Sequence, residues 1–481
     1  MSPIALAAII ALVSFLFLSK FLKNVHGSKN LPKGSLGFPL IGETISFLRA
    51  HKKEQGAEWI NERVAKYGPI FKTSVMGTPT VIIVGVAGNK FVLGSSDVVF
   101  ATNRPKRISA LQGKYNIFEL SGSRYRLVKR AMLSFLQPES LQNYVKRMDE
   151  LVTTSLLKEI KQKDTIKIVN FMQKLTFSVA CDILFDIKDE ATKEAFFGDF
   201  RILFKALGSF PIKFPGSAYS RGLEARARIS NRLLPILRKR KEELSTGVLS
   251  STNDVVSCLL ALKGENEESI SEAEVVDNFS ILLIASHDTT AILLSLVVWK
   301  LSRDKQIYTK VLQEQMDILR DREAATIEEN LTWVDIQKMK YTWQVAQEMM
   351  RMIPPVFGTF RKALEDTNFG GYDIPKGWQV FTVAHGTHME KDIFSSPMEF
   401  DPSRFDKSSK PIPPYAYIPF GAGLHSCIGN EFARIETLTT IHKLVTKFEW
   451  SPVYPDETIT RKAVPYPSMG LPIKIKPRIQ T

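Results

Sequence analysis

The chain has 481 residues, of which 44% are hydrophobic, and it carries a formal net charge of +14. This is ample for a large packed core, although length alone does not divide the chain into domains. The three cysteines, Cys181, Cys258 and Cys427, exclude a disulfide framework and favour a reducing compartment. They are far apart and lack CxxC spacing, which disfavours a structural zinc site.

The positive charge is compatible with an ordinary basic surface, an anionic membrane face or an acidic protein partner. The sequence has no long basic stripe interleaved with aromatic residues, no zinc-finger spacing and no RNA-binding motif. Nucleic acid is therefore the partner that we do not expect.

The amino-terminal segment predicts a membrane anchor. Residues 3–18, PIALAAIIALVSFLFL, carry no charge, and the apolar run extends far enough for residues 1–22 to cross a bilayer. Lysines occur from Lys20 onwards and none precedes the run, so the bulk of the chain is predicted to stay cytoplasmic. A cleaved signal peptide is the alternative, but its charged start and its small-residue cleavage site are missing.

A connector and a mostly helical body are predicted after the anchor. Residues 31–43, LPKGSLGFPLIGE, contain prolines and glycines that disfavour a helix or a central strand. We therefore predict a basic, Pro/Gly-rich connector over residues 23–43 and a globular domain over residues 44–481. Within that domain, strand-like alternation lies near residues 69–84 and helical patterns predominate from about 124 to 350. Short strands follow within residues 370–381, so the predicted class is mostly α with small β-sheets.

The longest predicted helix carries polar residues in an apolar interior. Ser271 and Glu274 form a capping box, and apolar positions then run to about Leu301. Residues 286–290, SHDTT, are costly to bury without partners. They could close a helix kink by bonding to the preceding turn, or they could supply an acid and a hydroxyl on a locally widened helix. The two interpretations are compatible.

The segment FGAGLHSCIG, residues 420–429, leaves four roles for Cys427: a small buried residue, a zinc ligand, a nucleophile or a one-sided metal ligand. The glycines at positions 421, 423 and 429 permit tight turns and the close approach of a flat ligand. A helix is predicted after Gly429, and the amino terminus of a helix favours a thiolate. No His/Asn pairing typical of a cysteine protease is evident, whereas a single soft axial ligand suits haem iron.

Four segments of the chain share their order and separation with the motifs of one enzyme family. They are Ala285–Thr290 (ASHDTT), Glu348–Arg351 (EMMR), Phe400–Phe405 (FDPSRF) and Phe420–Gly429 (FGAGLHSCIG). They resemble the oxygen-binding helix, the E-x-x-R helix, the meander and the F-x-x-G-x-x-x-C-x-G loop of the cytochrome P-450 monooxygenases. The resemblance covers essentially the whole chain. It implies the P-450 fold with an amino-terminal transmembrane anchor helix, haem b as cofactor and Cys427 as the axial ligand of its iron.

The resemblance also implies roles for residues around the haem. Asp288 and Thr289 match the acid–alcohol pair that supplies protons for oxygen activation, although Ser286 stands where the family usually has glycine. The residues implied to contact the haem or its propionates are Tyr125, Lys129, Arg130, Arg361, His425, Phe420, Gly421 and Ala285. Lys129 and His425 replace residues that are usually arginine, and lysine offers a point charge instead of a fork. A hydrogen bond within the loop, unrelated to haem, is the alternative for His425.

A structural network is implied for Glu348, Arg351 and Arg404. Glu348 and Arg351 lie three positions apart on one helix face and can therefore pair. A carboxylate buried between two arginines is satisfied, whereas a lone buried carboxylate is expensive. We expect this network to serve folding and not chemistry.

The implied function is a monooxygenase of the endoplasmic reticulum membrane, with its catalytic domain on the cytoplasmic side. It would use O2 and take electrons from a membrane-bound flavin reductase that oxidises NADPH. Two alternatives stay open: a haem-thiolate enzyme that rearranges or dehydrates an oxygenated substrate, and a non-catalytic haem protein of the membrane. The intact Asp288–Thr289 pair disfavours the first, and the polar interruption of the long helix disfavours the second.

Two further segments narrow the expected substrate. YTWQVAQEMMRMIPPVFGTFRKAL and GYDIPKGWQV resemble the plant oxidases of cyclic terpenoids, which include triterpene (amyrin-type) oxidases and taxane hydroxylases. Where the family contacts substrate, this chain has the apolar residues Ile117, Phe118, Leu283, Val356 and Phe357, which suit a lipophilic molecule or are simply core. We therefore expect hydroxylation, or stepwise oxidation, of a di- or triterpenoid.

Overall fold

The computed structural model describes residues 30–478 apart from residues 103, 162, 210–211, 264–268, 325–329 and 463. The predicted anchor and the start of the predicted connector, up to residue 29, lie outside the described residues. The chain divides into two compact units. The smaller contains the described parts of Met1–Asn103 with Gly358–Thr387 and Pro414–Ala416, and the larger those of Arg104–Phe357, His388–Pro413 and Tyr417–Thr481.

Most of the regular structure is helical. The α-helices, in chain order, are α1 Thr44–Lys52, α2 Gly56–Tyr67, α3 Val86–Leu93, α4 Lys106–Gln112, α5 Gly122–Leu136, α6 Pro138–Leu141, α7 Val145–Ile160, α8 Ile168–Val179, α9 Glu190–Leu207, α10 Ala218–Ser245, α11 Val255–Leu260, α12 Glu272–Leu301, α13 Lys305–Ala324, α14 Trp333–Lys338, α15 Lys340–Met352, α16 Ala384–His388 and α17 Asn430–Lys447. Short 3₁₀ turns lie at Gln142–Tyr144, Pro402–Phe405 and Gly423–His425, and a π-helical turn at Ala180–Leu184.

The strands form small sheets. They are β1 Ile70–Val75, β2 Thr78–Ile83, β3 Phe100–Thr102, β4 Thr165–Lys167, β5 Gly358–Ala363, β6 Thr367–Phe369, β7 Tyr372–Ile374, β8 Gln379–Val383, β9 Phe448–Pro452, β10 Ile459–Arg461, β11 Pro465–Pro467 and β12 Pro472–Pro477. The mostly helical class with small sheets is confirmed.

The smaller unit is built around a sheet with strand order β1-β2-β8-β5-β3. β1 and β2 pair antiparallel across the two-residue turn Met76–Gly77, in which both residues have positive φ (54° and 75°). Such turns match the twist of the strands that they join. The strand-like alternation noted near residues 69–84 is therefore a hairpin, and β2 continues the sheet by parallel pairing with β8.

Helix α12 is central to the larger unit. Ser271 caps it: its Oγ accepts from the Glu274 amide at 3.2 Å, and the Glu274 carboxylate accepts from the Ser271 amide at 2.9 Å. The predicted capping box and the predicted end at Leu301 are confirmed. Among the described residues this helix alone is long and apolar enough to span a membrane, but 72% of its most apolar stretch is buried in the protein. A helix that is apolar on all sides and buried is a core helix.

Among the helices that pack against α12, α8, α15 and α17 make the most extensive contacts. α12 remains α-helical throughout, so no widened turn accompanies its polar residues. The candidate residues lie in the larger unit, except Arg361 on β5 of the smaller unit.

Candidate active site

The loop that carries Cys427 is closed by its own backbone. Gly421 and Gly423 have φ angles of +70° and +68°, a conformation that favours glycine. The Cys427 amide donates to the Phe420 carbonyl at 2.8 Å, and the Ser426 amide to the Gly423 carbonyl at 3.1 Å. These turns hold the cysteine three residues before the start of α17.

Cys427 is exposed at the surface of the fold, yet protein atoms surround its thiol closely. Both observations hold for a residue that is exposed while its sulfur is largely enclosed by protein. Burial raises the pKa of the thiol, while a hydrogen bond from the Gly429 amide and the charge of Lys129 oppose this effect. The predicted thiolate-favouring environment is thus present in the Gly429 amide, but burial outweighs it. A bound metal cation would reverse this balance, since coordination deprotonates a thiol.

The donor set around Cys427 fits a single axial ligand. In the parts of the chain that the structure describes, no three His, Cys, Asp or Glu side chains come together to hold a metal ion. Cys181 and Cys258 are buried, and burial raises the pKa of both thiols. A soft sulfur that accepts an amide N–H matches the ligand that haem iron takes from one side.

Tyr125 and Lys129 lie one turn apart on α5 and both bind the cysteine loop. The Tyr125 hydroxyl donates to the Leu424 carbonyl at 2.9 Å, and the Lys129 ammonium donates to the same oxygen. The ring of His425 lies against that of Tyr125, with centroids 4.5 Å apart. Burial lowers the pKa of Lys129, and the Cys427 charge opposes that shift. Their predicted contact with haem propionates stays a prediction.

The remaining predicted haem contacts are distributed over four places. Arg130 is exposed and lines an open groove on α5 together with Arg126 and Lys129. Arg361 is 9% exposed and donates to the Phe360 carbonyl at 3.3 Å within the smaller unit. Phe420 and Gly421 belong to the cysteine loop, and Ala285 is half-buried on α12.

The acid and the alcohol on α12 have different partners. The Asp288 carboxylate accepts from the Gln173 amide at 2.9 Å, and the Thr289 hydroxyl donates to the Ala285 carbonyl at 2.6 Å. His287 is buried, and burial lowers its pKa to about 4 against the opposing charge of Asp288. The back-bond of Thr289 to the preceding turn was one of the open interpretations, although here it leaves the helix unbroken.

Sequence reasoning missed the contribution of α8 to this region. Gln173 binds Asp288, and the Thr176 hydroxyl donates to the His287 carbonyl at 2.9 Å. The sequence does place Gln173 and Thr176 three positions apart in the mainly apolar segment FMQKLTF, which predicts that they share one helix face. It does not indicate which helix that face contacts.

Glu348, Arg351 and Arg404 are brought together. Glu348 and Arg351 form a two-bonded ion pair of 2.7 and 2.8 Å, and both side chains are fully buried. Arg404 Nε donates to the same carboxylate at 3.3 Å, and the Asp401 amide does so at 2.9 Å. Both oxygens of this carboxylate therefore accept at least one hydrogen bond.

The residues expected near substrate divide by exposure. Ile117, Leu283 and Phe357 are buried, Phe118 is partly buried and Val356 is 46% exposed. Leu283 has no exposed surface at all. The packed-core alternative therefore describes Leu283 better than a substrate contact does.

The family model of cytochrome P-450 matches residues 32–475. The chain belongs to the cytochrome P-450 family. Like its relatives that are named hydroxylases and monooxygenases, it is a P-450 monooxygenase, and the family implies a haem-thiolate cofactor.

Several similar P-450 enzymes have the name of a terpenoid substrate in their own names. Taxane 10-beta-hydroxylase of Taxus cuspidata is 37% identical over 99% of this chain and 95% of its own length. Beta-amyrin 28-monooxygenase of Medicago truncatula is 34% identical over 98% of each chain. The predicted resemblance to taxane hydroxylases and amyrin-type oxidases is confirmed.

The fold agrees with a solved P-450 structure, the retinoic acid-bound cyanobacterial CYP120A1. The match has a TM-score of 0.83 at 28% identity and covers 94% of this chain and 100% of that one. The P-450 fold predicted from the four motifs is therefore confirmed for the described residues.

Proposed function

We propose that this P-450 is a membrane-anchored enzyme that hydroxylates, or oxidises in successive steps, a lipophilic cyclic di- or triterpenoid. The observation that carries the proposal is the Cys427 loop, in which the sulfur of an exposed cysteine accepts the Gly429 amide at the entrance to α17. The names of the similar taxane and amyrin enzymes support the substrate class.

We assign haem b as the cofactor, and Cys427 would hold its iron through the sulfur. Tyr125, Lys129, Arg130, Arg361 and His425 are assigned to its propionates. Phe420, Gly421 and Ala285 are assigned to its ring. When bound, a thiolate-ligated haem supplies the chemistry that splits O2, so that one oxygen atom enters the substrate and the other leaves as water.

Asp288 and Thr289 are assigned to proton supply. Insertion of one atom of O2 with release of water consumes two protons and two electrons. Asp288 is partly exposed and can exchange protons with water, and Thr289 uses its hydrogen toward Ala285, which leaves oxygen lone pairs to accept a proton. The Glu348–Arg351–Arg404 network is assigned a structural role because its groups bind one another.

We further propose that an NADPH-dependent flavin reductase with an acidic face supplies the electrons. The groove that contains Arg126, Lys129 and Arg130 is a basic surface close to the cysteine loop, and complementary charge accelerates encounter. Residues 1–22 would anchor the enzyme in the endoplasmic reticulum membrane. Residues 23–43 would connect this anchor to the cytoplasmic domain, which residues 44–481 would form.

The decisive experiment combines spectra with product analysis. The protein would be produced with a plant reductase in a host that makes cyclic terpenes. We expect the reduced-CO spectrum of thiolate-bound haem and NADPH-dependent products that carry added oxygen from O2. Cys427→Ala should lose both, while Cys258→Ala, at a buried thiol remote in sequence from the loop, should keep both.

Three outcomes would contradict parts of the proposal. A Cys427→Ala variant that keeps the thiolate spectrum would overturn the ligand assignment. Haem spectral shifts with fatty acids or phenylpropanoids alone, in a panel that includes terpenoids, would overturn the substrate class. Product formation without NADPH would favour the rearranging enzyme.

A further inference from the structure

The helix α8 holds α12 at the two residues that precede Thr289. Gln173 Nε2 donates to Asp288 Oδ1 at 2.9 Å, and Thr176 Oγ1 donates to the His287 carbonyl at 2.9 Å. Gln173 and Thr176 are three positions apart and therefore share one face of α8. One face of α8 thus binds the side chain of the proposed acid and the backbone of its neighbour.

The aromatic surroundings of His287 fix this part of α12. The His287 ring lies edge-on to Phe177 and Phe197, with centroids 5.6 and 5.9 Å apart, and near Phe204 at 5.5 Å. Successive residues of a helix point about 100° apart. With His287 held among these rings, the direction in which Asp288 leaves the helix is set, and Gln173 fixes where its carboxylate comes to rest.

The chemical nature of the donor matters. An amide N–H is neutral, so its bond to a carboxylate is strong while the acid is ionised and weaker once the acid is protonated. A lysine or arginine in the same place would form an ion pair, which favours the charged form of the acid and opposes proton uptake. Gln173 and Asp288 are both partly exposed, so neither residue is sealed from solvent.

We propose that Gln173 is a positioning residue for proton delivery through Asp288. It holds ionised Asp288 by Oδ1, so that Oδ2 takes up a proton from water. Protonation loosens the contact, and the carboxylic acid then turns and gives the proton to the Thr289 oxygen, which releases its own hydrogen toward O2. The carboxylate that remains returns to Gln173. This inference rests on the proposed monooxygenase function.

The test compares Gln173→Leu with Thr176→Val. The first removes the donor to Asp288 at similar size, and the second removes the neighbouring bond between the same two helices. We expect Gln173→Leu to lower the product formed per NADPH several-fold and to raise the solvent isotope effect on kcat, with little change in KM. Thr176→Val should leave the product-to-NADPH ratio near that of the wild type. In an Asp288→Ala background, Gln173→Leu should change neither the product formed per NADPH nor the solvent isotope effect any further.

A second readout does not depend on turnover. The melting temperatures of wild type, Gln173→Leu, Asp288→Ala and the double variant form a double-mutant cycle. We expect Gln173→Leu to lower the melting temperature less in the Asp288→Ala background than in the wild type. Shifts that simply add would overturn the contact itself.

The outcomes separate the two proposals. If wild type and Gln173→Leu have the same product-to-NADPH ratio and the same solvent isotope effect, the proposed role of Gln173 is overturned and the monooxygenase function is not. The role of Gln173 is also overturned if Thr176→Val lowers the product-to-NADPH ratio as much as Gln173→Leu does. The loss would then result from weaker packing between the two helices and not from the contact with Asp288. A wild type without NADPH-dependent oxygenation would overturn the proposed function, and with it the proton-delivery role, whatever the melting cycle gives.

Discussion

Replacement of Glu348 by glutamine should destabilise the folded enzyme strongly. Glu348 is fully buried and accepts hydrogen bonds from Arg351, Arg404 and the Asp401 amide. Arg351 is also fully buried and donates further to the carbonyls of His388 and Pro397, both at 2.8 Å. Glutamine preserves the volume but removes the negative charge and turns one acceptor into a donor that faces a guanidinium.

The magnitude follows from the charge that is left behind. Removal of one partner of a buried ion pair costs about 3–5 kcal/mol, because the other charge remains buried without compensation. Glu348→Gln keeps one acceptor oxygen, and Arg351 keeps its carbonyl acceptors, so we expect about 3 kcal/mol. Glu348→Ala also leaves a cavity, so its loss of stability should lie near the upper end of this range, at about 5 kcal/mol.

The assay is urea-induced unfolding followed by circular dichroism, with Asp317→Asn as the matched control. Asp317 and Arg320 also form an ion pair three residues apart on a helix, but their side chains are 53% and 63% exposed. Exposed pairs contribute about 0–1 kcal/mol, so the control should lose no more than that. A loss for Glu348→Gln no larger than the loss for Asp317→Asn would refute the argument from burial.

Three further predictions follow from single buried contacts. His442 is buried beside Gln315 and its pKa is lowered to about 3, below the unfolded value of about 6.5, so the unfolded chain binds the proton first. Stability should therefore fall as pH drops from about 6.5 toward 3, and His442→Gln should flatten this slope in unfolding measured against pH. Gly113→Ala should destabilise by more than about 1 kcal/mol in the same urea assay, because φ is +104° and the new Cβ would lie 2.2 Å from the Asp277 carboxyl carbon. Tyr125→Phe removes the hydrogen bond to the Leu424 carbonyl, which should cost about 1 kcal/mol and hasten loss of the reduced-CO spectrum on incubation.

Each of these three predictions has an outcome that contradicts it. Parallel stability curves for wild type and His442→Gln between pH 3 and 6.5 would show that another group sets the slope. Gly208→Ala is the control for Gly113, since no atom lies within 4 Å of the added Cβ, and equal losses for the two would remove the steric argument. An unchanged spectrum lifetime in Tyr125→Phe would mean that the cysteine loop does not depend on that bond.

Local patterns were sufficient for much of the fold. The capping box of Ser271 and Glu274 and the end at Leu301 depend on residues close in sequence, and the structure has α12 at those bounds. The glycines around Cys427 likewise predicted tight turns that the φ angles of Gly421 and Gly423 show. Such features need no knowledge of what packs against them.

Contacts between segments that are distant in the sequence could not be predicted from local patterns. Gln173 and Asp288 are 115 positions apart, and the partner of a polar residue on a helix face depends on how the helices pack. Tyr125 and Lys129 both donate to a main-chain carbonyl. Since every residue has such a carbonyl, the sequence does not indicate which one accepts these bonds. The pKa of Cys427 depends on the balance of burial against one amide and one cation, and packing sets that balance.

The two departures from the family's usual arginines meet at one turn of the chain. Lys129 donates to the Leu424 carbonyl, and the next residue, His425, packs its ring against Tyr125, which donates to that same carbonyl. Helix α5 therefore holds the turn Gly423–His425 through main-chain and ring contacts that need no guanidinium. Since the Cys427 amide closes the loop on Phe420, the position of the sulfur follows from this turn and from the register of α5. A histidine at position 425 is thus compatible with an otherwise intact P-450 loop, because its ring supplies one of the contacts that hold the turn.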